Sequence, residues 1–208
     1  MTVSKGASIK KVVIVTDPMC SWCWGMTNEF ERARRELVRD VEFDFMLGGI
    51  NTHGTQPIGD YGRRYLMKLW LDVHETTGQE FGFKLPLEYV HNSVLPCLAV
   101  EAVRDVNNES ALKFLHHLQR RFFVDGDNIN DLVLLGKAAE SFGVDAEHLA
   151  RCVDDPAYKE RVKFQFDSAT RFGTNALPSL LVEKQGSLKL LAGGFVDAEM
   201  LQYLLATQ

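Results

Sequence analysis

Two cysteines stand two residues apart in "TDPMCSWCWG", Thr16 to Gly25, directly after the apolar run "VVIV". Such a pair has two common uses, to help hold a metal ion or to exchange thiols for a disulfide. A structural zinc site takes four ligands, and this pair supplies two. The remaining cysteines, Cys97 and Cys152, stand singly in apolar helical surroundings and read as packing residues. His116 and His117 are adjacent, so on a helix they face different sides. No metal site is expected, and redox chemistry is the favoured reading.

Position assigns the roles. If a helix opens at the pair, Cys20 and Cys23 lie one turn apart on one face, within reach of a disulfide. Cys20 then sits where the first backbone N–H groups lack helical partners. A thiolate there accepts those hydrogen bonds and meets the positive end of the helix dipole, the setting that makes such thiols nucleophilic. Cys23 lies deeper in the helix and is the expected resolving thiol. Trp22, between the thiols, is expected to be exposed as an apolar landing surface for a partner chain. Ser21 and Trp24 join it as candidate substrate-side residues, although Trp24 and Met26 are also expected to pack beneath the pair.

The elements around the pair can be read from patterning. "KVVIVT" at 11–16 is β-branched and closed by Asp17-Pro18, as a buried strand is. A helix from about Cys20 to Arg39 follows, with Phe30, Ala33 and Leu37 on one face. "VEFDFML" alternates and ends at Gly48-Gly49, completing a βαβ unit. From Asn51 to Thr174 the pattern is helical. In "SALKFLHHLQRRFF", Ser110 is read as the N-cap and Ala111, Leu115, Leu118 and Phe122 as the apolar stripe. "INDLVLLGKAAESFG", "AEHLARCV" and a proline-initiated helix from Pro156 follow, with Gly143 and Gly173 where C-caps belong. "PSLLVEK" and "SLKLLAG" flank a Gln185-Gly186 turn as a hairpin, and a last helix starts at Asp197.

This order predicts an α/β fold of β-α-β and β-β-α halves, interrupted by helices. The halves are 10–50 and 175–208, and the helical insertion is 51–174. A mixed sheet with helices on both faces and a helical lid is the simplest packing of these parts. "YGRRYLMKLWLDVHETTGQEFG" is the expected lid, with Tyr61, Tyr65, Leu69 and Trp70 read as packing residues.

Charge narrows the function. With 23 basic and 28 acidic residues the net charge is −5, which argues against a nucleic-acid binder. No apolar run approaches the ~20 residues that span a bilayer, and "MTVSKGASIKK" leads into too short a core for a signal peptide. A cytoplasmic location is expected, where a close cysteine pair serves catalysis rather than stapling.

A second motif, "TNALPSLLV", places Pro178 at the start of a strand. "DPMCSWCWG", "LGGI", "LQRRFFVDGDNI" and "ALPSLLV", in that order, resemble the DsbA-like family of thioredoxin-fold oxidoreductases, in its cytoplasmic FrnE-like branch. The resemblance implies a thioredoxin fold with a helical insertion. It implies Cys20 as nucleophile, Cys23 as resolving thiol and a cis Pro178 facing them, with the main chain of Leu177 pairing with substrate. It also implies disulfide-containing proteins or small thiols as partners, and no tightly bound cofactor. Periplasmic DsbA carries a histidine where Trp22 stands, so a more reducing potential is expected here.

Kappa-class glutathione transferases and 2-hydroxychromene-2-carboxylate isomerases are similar in architecture, with serine in place of Cys20. By that likeness "GGFVDAEM", with Asp197, resembles the segment that holds the γ-glutamyl end of glutathione, and Asn51 and His53 would line the same cleft. Glutathione is thus a possible reductant or co-substrate. Two alternatives stay open beside the oxidoreductase: a glutathione-dependent transferase or isomerase, and a redox-sensing protease adaptor that does not turn over.

Overall fold

The computed structural model describes residues 11–37, 41–172 and 175–207. Its centre is a four-stranded sheet in the order β2-β1-β3-β4. β1 (Lys11–Thr16) runs parallel to β2 (Glu42–Leu47), with Ile14 opposite Phe45. On its other side β1 is antiparallel to β3 (Ser179–Lys184), which pairs antiparallel with β4 (Ser187–Gly193). β1 is buried on both faces, and this explains its unbroken apolar sequence. The β3–β4 connection is the expected two-residue turn. Gln185 and Gly186 both have positive φ, 53° and 75°, which matches the right-handed twist of the strands.

Period-two alternation sends Val12, Ile14, Leu180 and Val182 to one face. There they join Phe30 and Ala33 of α1 (Ser21–Leu37) and Ala198 and Leu201 of α8 (Ala198–Ala206) in the main core. Val13, Val15 and Leu181 face the other way, into a small separate cluster with Ala169 and Phe172. Helices therefore pack on both faces, as expected, but unequally, the second face being met by the end of α7 (Pro156–Ala169) and the turn after it.

Between β2 and β3 run α2 (Asp60–Thr77), α3 (Val94–Val106), α4 (Asn108–Arg120), α5 (Leu132–Glu140), α6 (Ala146–Asp154) and α7 (Pro156–Ala169). Three of these helices, α5, α6 and α7, start at side-chain caps. Asp131, Asp145 and Asp155 accept backbone N–H groups as N-caps, and Pro156 fills the first helical position of α7. Ser110 is not the cap of α4. The helix begins two residues earlier, and Asn107 Oδ1 accepts the Ser110 N–H at 3.2 Å. Gly143 has the expected left-handed φ of 86°, whereas Gly173 and Arg39 lie outside the described residues.

α4 passes into a wider π turn at Arg121–Asp125. This turn places Phe122 and Phe123 in a cluster with Trp70, whose ring centroid lies 5.6 Å from Phe122 and 5.2 Å from Phe123. The outer edge of β2 is occupied by side chains. Gln165 Oε1 accepts the Leu47 N–H at 3.1 Å, and Arg104 Nη2 donates to the Phe45 carbonyl at 2.8 Å. α2 is pressed against α1 at Gly25, where an added Cβ would lie 2.7 Å from Val73 Cγ1. Among the described residues, no helix is long and apolar enough to cross a membrane.

Candidate active site

The site forms where β1 hands over to α1. Asp17 and Pro18 end the strand, and Cys20 occupies the position just before the first helical residue, Ser21. Its carbonyl accepts the first helical N–H, from Trp24 at 3.0 Å. Its Sγ accepts the Cys23 N–H at 3.2 Å. The sulfur thus performs the task that a serine or aspartate oxygen performs at an ordinary N-cap. Across the gap, the Cys20 thiol donates to the Leu177 carbonyl at 3.7 Å. The peptide bond from Leu177 to Pro178 is cis. Both cysteines are free thiols.

The two sulfurs differ in surroundings. Cys20 lines a cavity of about 510 Å³ and Cys23 does not. Burial pushes the Cys23 thiol well above its usual range, and its hydrogen bond and charge interaction with Cys20 push the same way.

Asp17 supports the pair from behind. Its carboxyl is fully buried, with Oδ1 accepting the Met19 N–H at 2.7 Å and Oδ2 accepting from Ser93 Oγ at 2.6 Å and from the Cys97 thiol at 3.6 Å. Burial raises its pKa while these donors lower it. Gln119 Nε2 donates to the Asp17 carbonyl at 3.0 Å, tying α4 to the same corner. Cys97, expected only to pack, is therefore also a donor to the carboxyl beneath the pair. Cys152 lies buried in α6, 3.4 Å from His148 Nε2.

The structure gathers some of the expected site residues and separates others. Ser21, Trp22, Asn51 and Leu177 line the cavity with Cys20. Trp22 is half-buried rather than exposed, its ring 6.2 Å from that of Phe195. Trp24 faces the interior, as its packing role requires. Its Nε1–H donates to the Glu80 carbonyl at 2.8 Å, and its ring stacks on Phe123. Asn51 uses its side chain to donate to the His91 carbonyl at 2.6 Å. His53 lines a second cavity of about 340 Å³ against α3 and α7. Asp197 caps α8 by accepting the Met200 N–H at 2.7 Å, and it is not among the residues lining the first cavity.

Residues not anticipated also line the cleft. His91 enters from the irregular segment before α3, and burial lowers its pKa. Asn175 precedes the proline loop, and Tyr65 comes from α2. Tyr61 and Tyr65 are not packed as expected but are 79% and 60% exposed. They lie one turn apart on the side of α2 away from the buried Leu66, Trp70 and Val73. Among the described residues, no group of three or more His, Cys, Asp or Glu is arranged to hold a metal ion.

Comparison with known proteins settles the family. Residues 11–206 match the DSBA-like thioredoxin domain. The chain belongs to that family. Among solved structures, the DSBA-like chain is similar to a proposed protein disulfide isomerase from Nitrosomonas europaea. The two are 28% identical, with a TM-score of 0.85 over 97% of both chains. It shares its fold with the cytosolic disulfide reductase DsbM from Pseudomonas aeruginosa, at 24% identity and TM-score 0.75, over 95% of this chain and 96% of that one. DsbM has also been solved with glutathione. A ClpXP adapter protein, SpxH, from Halalkalibacterium halodurans is 19% identical over 79% of this chain. The DSBA-like chain spans 56% of the length of that curated relative.

Proposed function

We propose that this protein is a thiol–disulfide oxidoreductase in which Cys20 attacks and Cys23 resolves. The observation that carries the reading is the placement of Cys20 Sγ. It takes the N-cap position of α1, accepts the Cys23 N–H and faces an open cavity beside the Leu177 carbonyl. In the reductive direction, the Cys20 thiolate attacks one sulfur of a substrate disulfide. A mixed disulfide forms and the other substrate sulfur leaves as a thiolate. Cys23 then loses its proton and attacks Cys20 Sγ, releasing the second substrate thiol and leaving a Cys20–Cys23 disulfide. Two electrons pass from protein to substrate, and an external thiol restores the dithiol. Glutathione is a reasonable candidate for that thiol, since DsbM has been solved with it.

In this reading Leu177 and Pro178 form the loop that holds the substrate main chain, with Ser21, Trp22 and Asn51 beside it. Trp24, His53 and Asp197 act at one remove, through packing, a neighbouring cavity and a helix cap. The substrate-binding helices belong to an insertion at 51–174 between thioredoxin halves at 10–50 and 175–208. A cytoplasmic site of action fits the description of DsbM as cytosolic.

The test is turnover of a protein disulfide, such as insulin reduction. Cys20→Ser should abolish it, and Cys23→Ser should accumulate a mixed disulfide on Cys20, visible by mass spectrometry. Wild-type turnover in both variants would refute the proposal.

A further inference from the structure

We infer that the cavity between α3, α7 and the segment after β2 is a binding site for a small apolar carboxylate, separate from the cleft that holds Cys20. The exchange of thiols at Cys20 makes no use of it. Its volume, about 340 Å³, lies in the range of small-molecule sites.

The floor is apolar. Val94 and Leu98 stand one turn apart on α3, and Lys159, Val162, Lys163 and Phe166 recur at helical spacing on one face of α7. Leu98 and Val162 are almost fully buried, and Val94 and Phe166 are half-buried against the main core. Thr52 and His53 form the third wall. Phe166 marks the boundary with the thiol site. Its ring lies 2.8 Å from where a Cβ on Gly49 would stand, and Gly49, Ile50 and Asn51 belong to the lining of the Cys20 cleft.

The rim is cationic. Lys159 and Lys163 face a single carboxylate, Asp167, among the lining residues. Lys163 Nζ pairs with Asp167 at 2.6 Å, and so exposed a pair contributes little, leaving Lys163 able to turn to a ligand at small cost. Lys159 makes no ion pair among the described residues. Its Nζ donates to the Asp154 carbonyl at 3.1 Å, which uses one of the three donors of an ammonium group. Glu160 lies between the two lysines in the sequence but is not part of the lining. With Lys163 and Asp167 offsetting each other, Lys159 gives the lining a positive excess on a chain whose net charge is −5.

These two features select one chemistry. An apolar body gains by leaving water for the floor, and a terminal carboxylate answers the ammonium at the rim. A hydrocarbon without the carboxylate leaves the charge unanswered, and a short hydrophilic anion leaves the floor unused. A single excess charge suits a monoanion better than a phosphate ester, which carries more.

The test titrates the full chain with octanoate, octanamide and acetate, followed by backbone amide NMR shifts. Octanoate should give a saturable response at residues 52–53, 94–98 and 159–167, whereas acetate over the same range should not saturate. The charge is tested in Lys159→Gln/Lys163→Gln, which alters two exposed side chains. In this variant the ratio of the octanamide Kd to the octanoate Kd should fall about fivefold from its wild-type value. Taking the ratio in both proteins cancels the difference in how the two ligands shed water. No saturable octanoate binding, shifts gathered instead around Ser21, Trp22 and Tyr65, or a ratio unchanged in the glutamine variant would each overturn the inference. Cys20→Ser should bind octanoate as the wild type does, and weaker binding there would place the ligand in the thiol cleft and refute the separate site.

Discussion

Cys20 Sγ and the Leu177 carbonyl oxygen lie 3.7 Å apart although 157 positions separate them in the chain. The contact follows from the sheet. β1 leads to Cys20, β3 follows Leu177-Pro178, and their antiparallel pairing sets Val15 against Ser179. Both approach segments therefore end at the same rim of the sheet.

Gly48 keeps that rim open. A Cβ at this position would lie 2.6 Å from Leu177 Cδ2. Gly48→Val should push the Leu177 loop away from Cys20 and lower kcat/KM about tenfold to a hundredfold, the scale of an ångström-sized misplacement. Adding Leu177→Ala should recover part of the loss by removing the clashing methyls. A double variant no better than Gly48→Val would show that the clash is not the cause.

The α1–α2 contact can be tested in the same way. Gly25→Ala should destabilise the fold by about 1–3 kcal/mol, because its methyl would meet Val73 Cγ1 at 2.7 Å in a packed interface. Val73→Ala alone opens a cavity at a fully buried position. The two changes should compensate, so chemical denaturation of the double variant should show less loss than the sum of the single ones.

Alkylation should expose the asymmetry of the two thiols. Burial is the largest cause of the raised Cys23 pKa, ahead of the contributions from Cys20. Cys23 in the reduced protein should therefore resist iodoacetamide at pH 8, and it should still resist when Cys20 is replaced by serine. Peptide mapping that found Cys23 labelled in Cys20→Ser at pH 8 would show that the neighbouring sulfur, not burial, protects it.

His116 should shape stability in acid. Burial against α1, with Arg34 acting in the same direction, lowers its pKa from 6.5 to about 4. Between those values the unfolded chain binds a proton that the folded chain refuses, so stability falls as pH drops from 6.5 towards 4. The full effect is roughly 3 kcal/mol, at 1.36 kcal/mol per pH unit. Asp17 acts oppositely, since its raised carboxyl pKa makes the folded state the better proton acceptor as pH falls. The comparison of wild type with His116→Gln isolates the histidine. The variant should lose less stability between pH 7 and pH 4, and identical slopes would refute the assignment.

Strong local signals carried most of the architecture. The β-branched run at 11–16 became β1 with those limits, and the left-handed turn at Gln185-Gly186 became the hairpin. The thiol pair was legible because strand, Asp-Pro and helix follow each other directly. Ser110 misled because Asn107, directly after the last residue of α3, Val106, caps a helix that starts without a linker. The π turn at Arg121–Asp125 carries no mark in "LQRRFF", which continues the apolar spacing of α4. His91 and Asn175 sit in irregular backbone, where periodicity says nothing about direction. Asn51 and His53 are two positions apart yet line different cavities, because Asn51 adopts a left-handed φ of 48° that swings the chain aside. The tyrosines of α2 looked like packing because their ring type suits a core, and only the position of Leu66 and Trp70 shows which stripe faces inward.

Gln165 and Arg104 reach across the rim of β2 and occupy main-chain groups that a foreign strand would need for docking. Association by strand addition is thereby steered to the opposite border, where β4 lies with its half-open leucines, far along the sheet from β2. Loss of Gln165 or Arg104 would strip the Leu47 N–H or the Phe45 carbonyl of its side-chain partner and leave that border of the sheet unguarded.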